Sequence, residues 1–339
     1  MKILEISDQQ KWNDLVISFD DYTFLQSWEW GQVNKVLGEK VWRLGIKKGE
    51  DLVGVSQVIT VSARRGKILF VPHGPLLKKK ALSMMGPLIK YLIRLAKENN
   101  CICLRISPWA EETNKTKDFY RSFGFRDAPS LMHAEDTCLV DLNGNEEEVL
   151  KRMRKTTRNL IRRAQRESVE VRQSQDLADV EIVDRLQLEV VKRNDFVPFT
   201  KRFSLTVMEE FFRNDKASLF LGGFQGRTTA AALIIFFCKF AYYYQSGSEE
   251  TKVPVNYLLQ WEVIREAKKR GITTYNMWGI APPDKPNHPW RGLTVFKTGF
   301  GGIARKYLHT QDLPLSFCYW LLFFIEKVPK RWRKKLRVV

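Results

Sequence analysis

Hydrophobic and polar positions along this chain change period in a fixed order. Alternating runs at Trp42 to Ile46, Leu52 to Ser62 and Lys67 to Val71 predict three strands of a meander; the turn Gly49-Glu50-Asp51 leads into the second, and Pro72-His73-Gly74-Pro75 closes the third. From Pro87 to Asn99 the period lengthens, with Leu88, Leu92, Leu95 and Ala96 on one face, so a helix is expected before Cys101 to Ser107 returns to strand. Strands, then helix, then strand is an α+β layout whose last strand should pair in parallel across the crossover. Ahead of it, residues 8 to 18 read as a short helix, and Phe24-Leu25-Gln26-Ser27-Trp28-Glu29-Trp30-Gly31 opens a second. Trp28 and Trp30 stand two apart and cannot share a helix face, so one of them is expected to face a cleft or an adjacent domain.

The plan then repeats. Ser218 to Phe224, Thr229 to Phe237 and Phe240 to Ser246 form another meander. Val263-Ile264-Arg265-Glu266-Ala267-Lys268 matches Leu92-Ile93-Arg94-Leu95-Ala96-Lys97 at a constant offset, each helix running into a strand, here Thr273 to Trp278. This predicts a duplicated domain. The boundaries expected are 1–136, completed by a C-terminal helix over 313–339, and 137–312. A chain of 339 residues exceeds what one core usually serves, which agrees with two domains. Between the halves, Asp141-Leu142-Asn143-Gly144-Asn145 introduces a single helix from about Glu146 to Glu167, with Asn145 or Asn143 as its cap.

Charge adds a class of partner. The formal net charge is +18, which favours polyanions without choosing among nucleic acid, sugar diphosphates and anionic lipid. Lys151 to Arg172 carries nine basic residues against two acidic ones, where a merely solvated face would mix signs. Arg158, Arg162 and Arg163 are therefore candidate nucleic-acid contacts. At the other end, Leu315 to Ile325 is apolar and aromatic, and Lys327 to Arg337 adds seven basic residues. That segment is too short to span a membrane; it suits the interface of an anionic inner membrane, packing against the first domain, or both. The N-terminus has no signal-peptide pattern, so a cytoplasmic protein is expected. The five cysteines read as reduced core residues, and the four histidines show no ligand spacing, so no metal is expected.

The most specific stretch begins with Tyr242-Tyr243-Tyr244-Gln245-Ser246-Gly247-Ser248. It continues through Leu259-Gln260-Trp261, Ala267-Lys268, Gly271, Tyr275-Asn276-Met277-Trp278-Gly279-Ile280 and Val295-Phe296-Lys297-Thr298-Gly299-Phe300-Gly301. In that order the motifs resemble the second domain of FemABX peptidyltransferases, and Gln26-Ser27 with Trp30 and the basic helix after Asp141-Leu142 extend the resemblance to essentially the whole chain. Phe119 to Phe125, an aromatic helix stopped by Gly124, is similar to the closing segment of GNAT-type acyltransferase domains. The resemblance implies two GNAT-like domains without the coiled-coil arm of some members. It implies an aminoacyltransferase that moves an amino acid from aminoacyl-tRNA to the stem-peptide amine of a peptidoglycan precursor, lipid II or UDP-MurNAc-pentapeptide. On the same basis Lys297 is the expected catalytic residue, Phe296 a stacking face for the terminal adenosine, and Tyr244, Arg193 and Trp30 precursor contacts. Two positions depart from the pattern: Asn276 stands where Asp is usual, and Gln32 where some members carry a phosphate-contacting Lys.

The chemistry so implied needs a neutral amine, a held ester carbonyl and a stabilised oxyanion, with no covalent intermediate and no cofactor. No Ser/His/Asp or Cys/His grouping is readable, in keeping with direct attack. CoA is disfavoured as donor because Glu249-Glu250 follows the Tyr242 to Ser248 strand where a phosphate loop would lie. Two rivals remain: an N-acyltransferase of the same fold with another donor, and a catalytically silent RNA-binding relative.

Overall fold

The computed structural model describes residues 2–63, 66–193 and 198–327. The chain divides into two compact units, residues 1–135 with 307–339 and residues 136–306.

In the first unit, β1 (Lys2–Glu5) pairs with β2 (Val41–Lys48), which continues through β3 (Asp51–Ala63) to β4 (Gly66–Pro72) as an antiparallel meander. A short β5 (Leu76–Leu77) also pairs with β3. Two helices precede the meander, α1 (Gln9–Ile17) and α2 (Trp28–Val36); Ser27 caps the second, its hydroxyl accepting from the Trp30 amide at 3.1 Å. The crossover is α3 (Met85–Glu98), which buries Leu88, Leu92, Leu95 and Ala96 against the sheet because they recur on one face. It delivers β6 (Cys101–Ser107) parallel to β4, as the strand-helix-strand pattern predicts. After α4 (Asn114–Arg121) the chain reverses through Gly124, whose φ of +85° suits glycine, into β7 (Arg126–Asp127).

The second unit opens with β8 (Asp136–Asp141). The single helix expected from Glu146 to Glu167 is two, α5 (Glu146–Arg152) and α6 (Lys155–Arg166). Met153 and Arg154 between them adopt extended ψ angles of 153° and 146°, which ends one helix and starts the next. Asn145 does cap α5, in a reciprocal box with Glu148. Beyond β9 (Glu170–Ser174) come α7 (Val180–Arg193) and α8 (Lys201–Phe212), then a meander of β10 (Ala217–Phe224), β11 (Arg227–Phe237) and β12 (Phe240–Ser248). The crossover α9 (Val255–Lys269) leads to β13 (Thr274–Gly279), parallel to β12, followed by α10 (Arg291–Thr298) and β14 (Ile303–Lys306).

The chain then re-enters the first unit with β15 (Gln311–Pro314) and α11 (Cys318–Lys327). The C-terminal helix thus starts at Cys318, with Leu313 and Pro314 still in strand, and residues 328–339 lie outside the described residues. Strand order is β1-β2-β3-β4-β6-β15-β7 in one sheet and β14-β8-β13-β12-β11-β10-β9 in the other. Read from opposite ends, the two orders correspond position for position, as a duplicated fold requires. Beside each parallel pair lies an antiparallel strand distant in the chain: β15, which follows the second unit, beside β6, and β8, which opens the second unit, beside β13.

Cys101 and Cys103, side by side on β6, and Cys138 on β8 are buried thiols, pushed up in pKa by desolvation. Cys238 and Cys318 are exposed, contrary to a core reading: Cys238 occupies the β11–β12 turn with φ +51°, and Cys318 begins the outward side of α11.

Candidate functional site

The second unit's parallel pair comes apart soon after it forms. Only Phe240 to Tyr242 pair with Thr274 to Asn276. On β12 the register to β11 passes from Tyr243 opposite Ile234 to Gln245 opposite Leu233, so Tyr244 is the extra residue of a β-bulge. On β13 the register to β8 slips between Asn276 and Gly279, and Trp278 takes φ +61°. Asn276 holds that turn, its buried Oδ1 accepting from the Trp278 amide at 2.8 Å. An amide performs this as well as the usual carboxylate would, without a buried charge. Where the strands part, the rings of Tyr242, Tyr244, Trp278 and Phe199 gather, with centroids 5.9–6.2 Å apart.

Lys297 lies on the helix α10 and is only 5% exposed. Its Nζ donates to the Gly279 carbonyl at 2.7 Å, at the end of β13, and sits 5.4 Å from the Tyr243 ring centroid. Desolvation pulls the ammonium down to about 7, with Cys138 opposing weakly. The glycines after it serve packing. A Cβ on Gly299 would meet Thr157 Oγ1, on Gly301 the Arg152 backbone, and on Gly302 Cys138 Sγ. Phe296 is half-buried edge-on to Tyr257 and Phe300, at 5.1 and 5.3 Å.

The other expected residues are spread more widely. Tyr244 is buried, its phenol pushed up by desolvation. Arg193 ends α7, donating to the Ser248 carbonyl and lying 3.8 Å from Glu250. Glu249 is clamped by Arg185 and, at 2.7 Å, by Arg227. The acidic pair expected to repel phosphate is therefore answered by three arginines. On the helix α6, Arg162 faces outward. Arg158 donates to the Lys151 and Met153 carbonyls, bracing the α5–α6 break, and Arg163 pairs with Glu167 at 2.8 Å. Lys155 and Arg166 share Arg162's exposed face and were missed because only helix phase separates them from their neighbours.

In the first unit Trp30 is interior, edge-on to Phe24 at 5.6 Å and to His133 at 6.1 Å, while Trp28 is the half-exposed tryptophan, stacked 3.5 Å from the Arg43 guanidinium carbon. Gln32 accepts from that guanidinium at 3.3 Å, and burial pulls Arg43 down to about 10. A cavity of about 600 Å³ opens where β4 and β6 end, lined by Pro75, Leu77, Met85, Trp109 and Tyr120, with Lys78, Lys79, Lys80 and Lys115 against Asp20 and Asp21 among its charged residues. Local pattern gave no sign of it, since its walls come from four separate segments.

The FemAB family matches residues 8–121 and 222–327, segments of both units. A crystal structure of FemX superposes with a TM-score of 0.82 at 16% identity, covering 96% of this chain and 100% of that one. A tandem GNAT protein from the clavulanic acid biosynthesis pathway gives 0.58 at 11%, over 93% and 98%. L-PGS from Bacillus licheniformis gives 0.55 at 14%, over 97% and 99%. At these identities the likeness is one of fold, and the fold is two GNAT-like domains. No curated protein sequence matches significantly.

Proposed function

The chain belongs to the FemAB family, and from that premise we propose that it transfers an amino acid from aminoacyl-tRNA to the stem-peptide amine of a peptidoglycan precursor, building the interpeptide bridge. The observation that carries the reading is the family match, which includes the parted β12–β13 pair and the lysine beneath it. In the reaction the acceptor nitrogen attacks the ester carbonyl, a C–N bond forms, the C–O bond to the tRNA ribose breaks, and that ribose oxygen takes up a proton. Lys297 is the group proposed to stabilise the developing oxyanion, directly or by fixing the Gly279 carbonyl so that neighbouring backbone N–H groups point at it. In its protonated form the buried ammonium would act on that oxyanion through a low dielectric, little screened by water. The excess of lysines over aspartates around the cavity of the first unit supports an anionic acceptor such as lipid II or its UDP-linked precursor.

One observation favours a second reading. Arg185, Arg193 and Arg227 neutralise the acidic pair that argued against a phosphate-bearing donor. The test is transfer by the purified full chain to UDP-MurNAc-pentapeptide or lipid II, from charged tRNA against acyl thioesters, read by mass spectrometry. Transfer from charged tRNA is expected; product from the thioester alone would establish the second reading.

A further inference from the structure

Helix α11 is docked by one face and bare on the other. Tyr319 and Leu322 are buried against Val41, Ile68, Phe70 and Cys103 of the first sheet. Phe317, Leu321 and Phe324, at 89%, 62% and 63% exposure, stand at i, i+4 and i+7 on the opposite side. Phe317 belongs to the first turn, its carbonyl accepting from the Trp320 amide at 3.1 Å. Scattered apolar side chains on a surface need no explanation, but three large ones in a row along one helix face do. Cations flank the stripe: the Arg126 guanidinium lies 4.7 Å from the Trp320 ring and Lys327 Nζ 4.5 Å from Phe323. In the sequence that follows, Lys330, Arg331, Arg333, Lys334, Lys335 and Arg337 occur without an acidic residue.

From this pairing of an outward apolar stripe with a cationic continuation, we propose that α11 is an interfacial anchor. It lays Phe317, Leu321 and Phe324 into the headgroup boundary of an anionic bilayer while Tyr319 and Leu322 keep it attached to the first unit. Charge complementarity selects the occupant: an apolar protein partner would account for the stripe but not for six basic residues in a stretch of sequence without an acidic one. Ten helical residues cannot cross a bilayer, and among the described residues no helix is long and apolar enough to do so, so the contact is peripheral. The inference holds whichever acyl donor is used.

The test is co-sedimentation of the full chain with vesicles of phosphatidylcholine containing about one-third phosphatidylglycerol, at about physiological salt. Wild type should bind, and the triple variant Phe317→Ser, Leu321→Ser, Phe324→Ser should bind about tenfold more weakly with its thermal midpoint unchanged. Equal binding by the variant would mean that net charge alone brings the protein to lipid, and would overturn the proposal, as would failure of wild type to bind. A second readout leaves the stripe intact: in a Cys238→Ser background, an environment-sensitive dye on exposed Cys318 should shift to the blue on these vesicles. An unshifted spectrum with bound protein would place some other surface on the membrane.

Discussion

Lys297 gathers most of what single residues say about this protein. Its motif was readable along the chain; its burial was not, because burial depends on β13 passing over α10 and on Cys138 arriving from β8. Burying an ammonium without a carboxylate costs stability. Its folded value of about 7 lies below the ordinary 10.5, so that cost is fully present below about pH 7 and fades as pH rises toward 10.5. Lys297→Met should therefore raise the denaturation midpoint at pH 7 or leave it unchanged, while lowering kcat by about a hundredfold or more. Stopped transfer assays beside thermal melts would show both. If the charged form is the active one, wild-type kcat/KM should fall as pH passes about 7, and that limb should be missing from the variant's residual rate. His309 titrates the other way. Burial lowers it, but its hydrogen bond to Glu135, at 2.8 Å, and that charge prevail, holding it at about 9. Its contribution, on the order of 1–2 kcal/mol after discounting for partial exposure, is complete below about pH 6.5 and lost as pH climbs through 9. Replacing it with Gln should flatten that part of the stability–pH curve, measured by urea unfolding.

At the level of elements, strands and helices with strong periods were legible almost to the residue, Cys101–Ser107 among them. The α5–α6 break was not. Its sequence, Arg152-Met153-Arg154-Lys155, has no Pro or Gly to mark it; the break follows from tertiary bonds, the Arg154 amide to the Gly299 carbonyl at 2.9 Å and its guanidinium to Thr298 at 2.8 Å. The bulge at Tyr244 was hidden for a similar reason, since three tyrosines in a row look like regular strand until β11 fixes the register. The break also sorts the basic residues. Arg158 braces the junction, whereas Lys155, Arg162 and Arg166 point outward along one face. Reversing those three to Glu should weaken tRNA binding and reduce its dependence on log salt concentration by about two to three units, by counting phosphate contacts released. Filter binding across a salt series would measure this, and an unchanged slope would mean that this face of α6 does not contact RNA phosphates. Arg158→Ala should instead lower thermal stability.

The organisation of the whole molecule was legible as a duplication; the return of the chain to the first sheet as a strand was not, because nothing local in Gln311–Pro314 says that it pairs with β6, some two hundred residues earlier. That pairing is fastened by charge. Arg105 on β6 is fully buried, bidentate to Asp312 at 2.7 and 2.8 Å and within 3.1 Å of Glu326 on α11. A chain stopping before β15 would leave that guanidinium buried without a counter-charge, at a cost of about 3–5 kcal/mol. Residues 1–135 alone should therefore fail to fold. The crossings suggest how to restore the unit: the Tyr307 amide donates to the Glu135 carbonyl at 2.9 Å, so the two ends of the excised segment meet. Joining residue 135 to residue 307 through a few glycines should give a folded first unit. The removed piece, residues 136–306, has its own ends side by side, Asp136 paired with Lys306 between β8 and β14, and should fold unaided. Circular dichroism and limited proteolysis of the three polypeptides test this directly: order in the joined first unit and in 136–306, with none in 1–135. A cooperative melt from residues 1–135 alone would mean that β15 only decorates the first sheet, and that the buried Arg105 finds another partner.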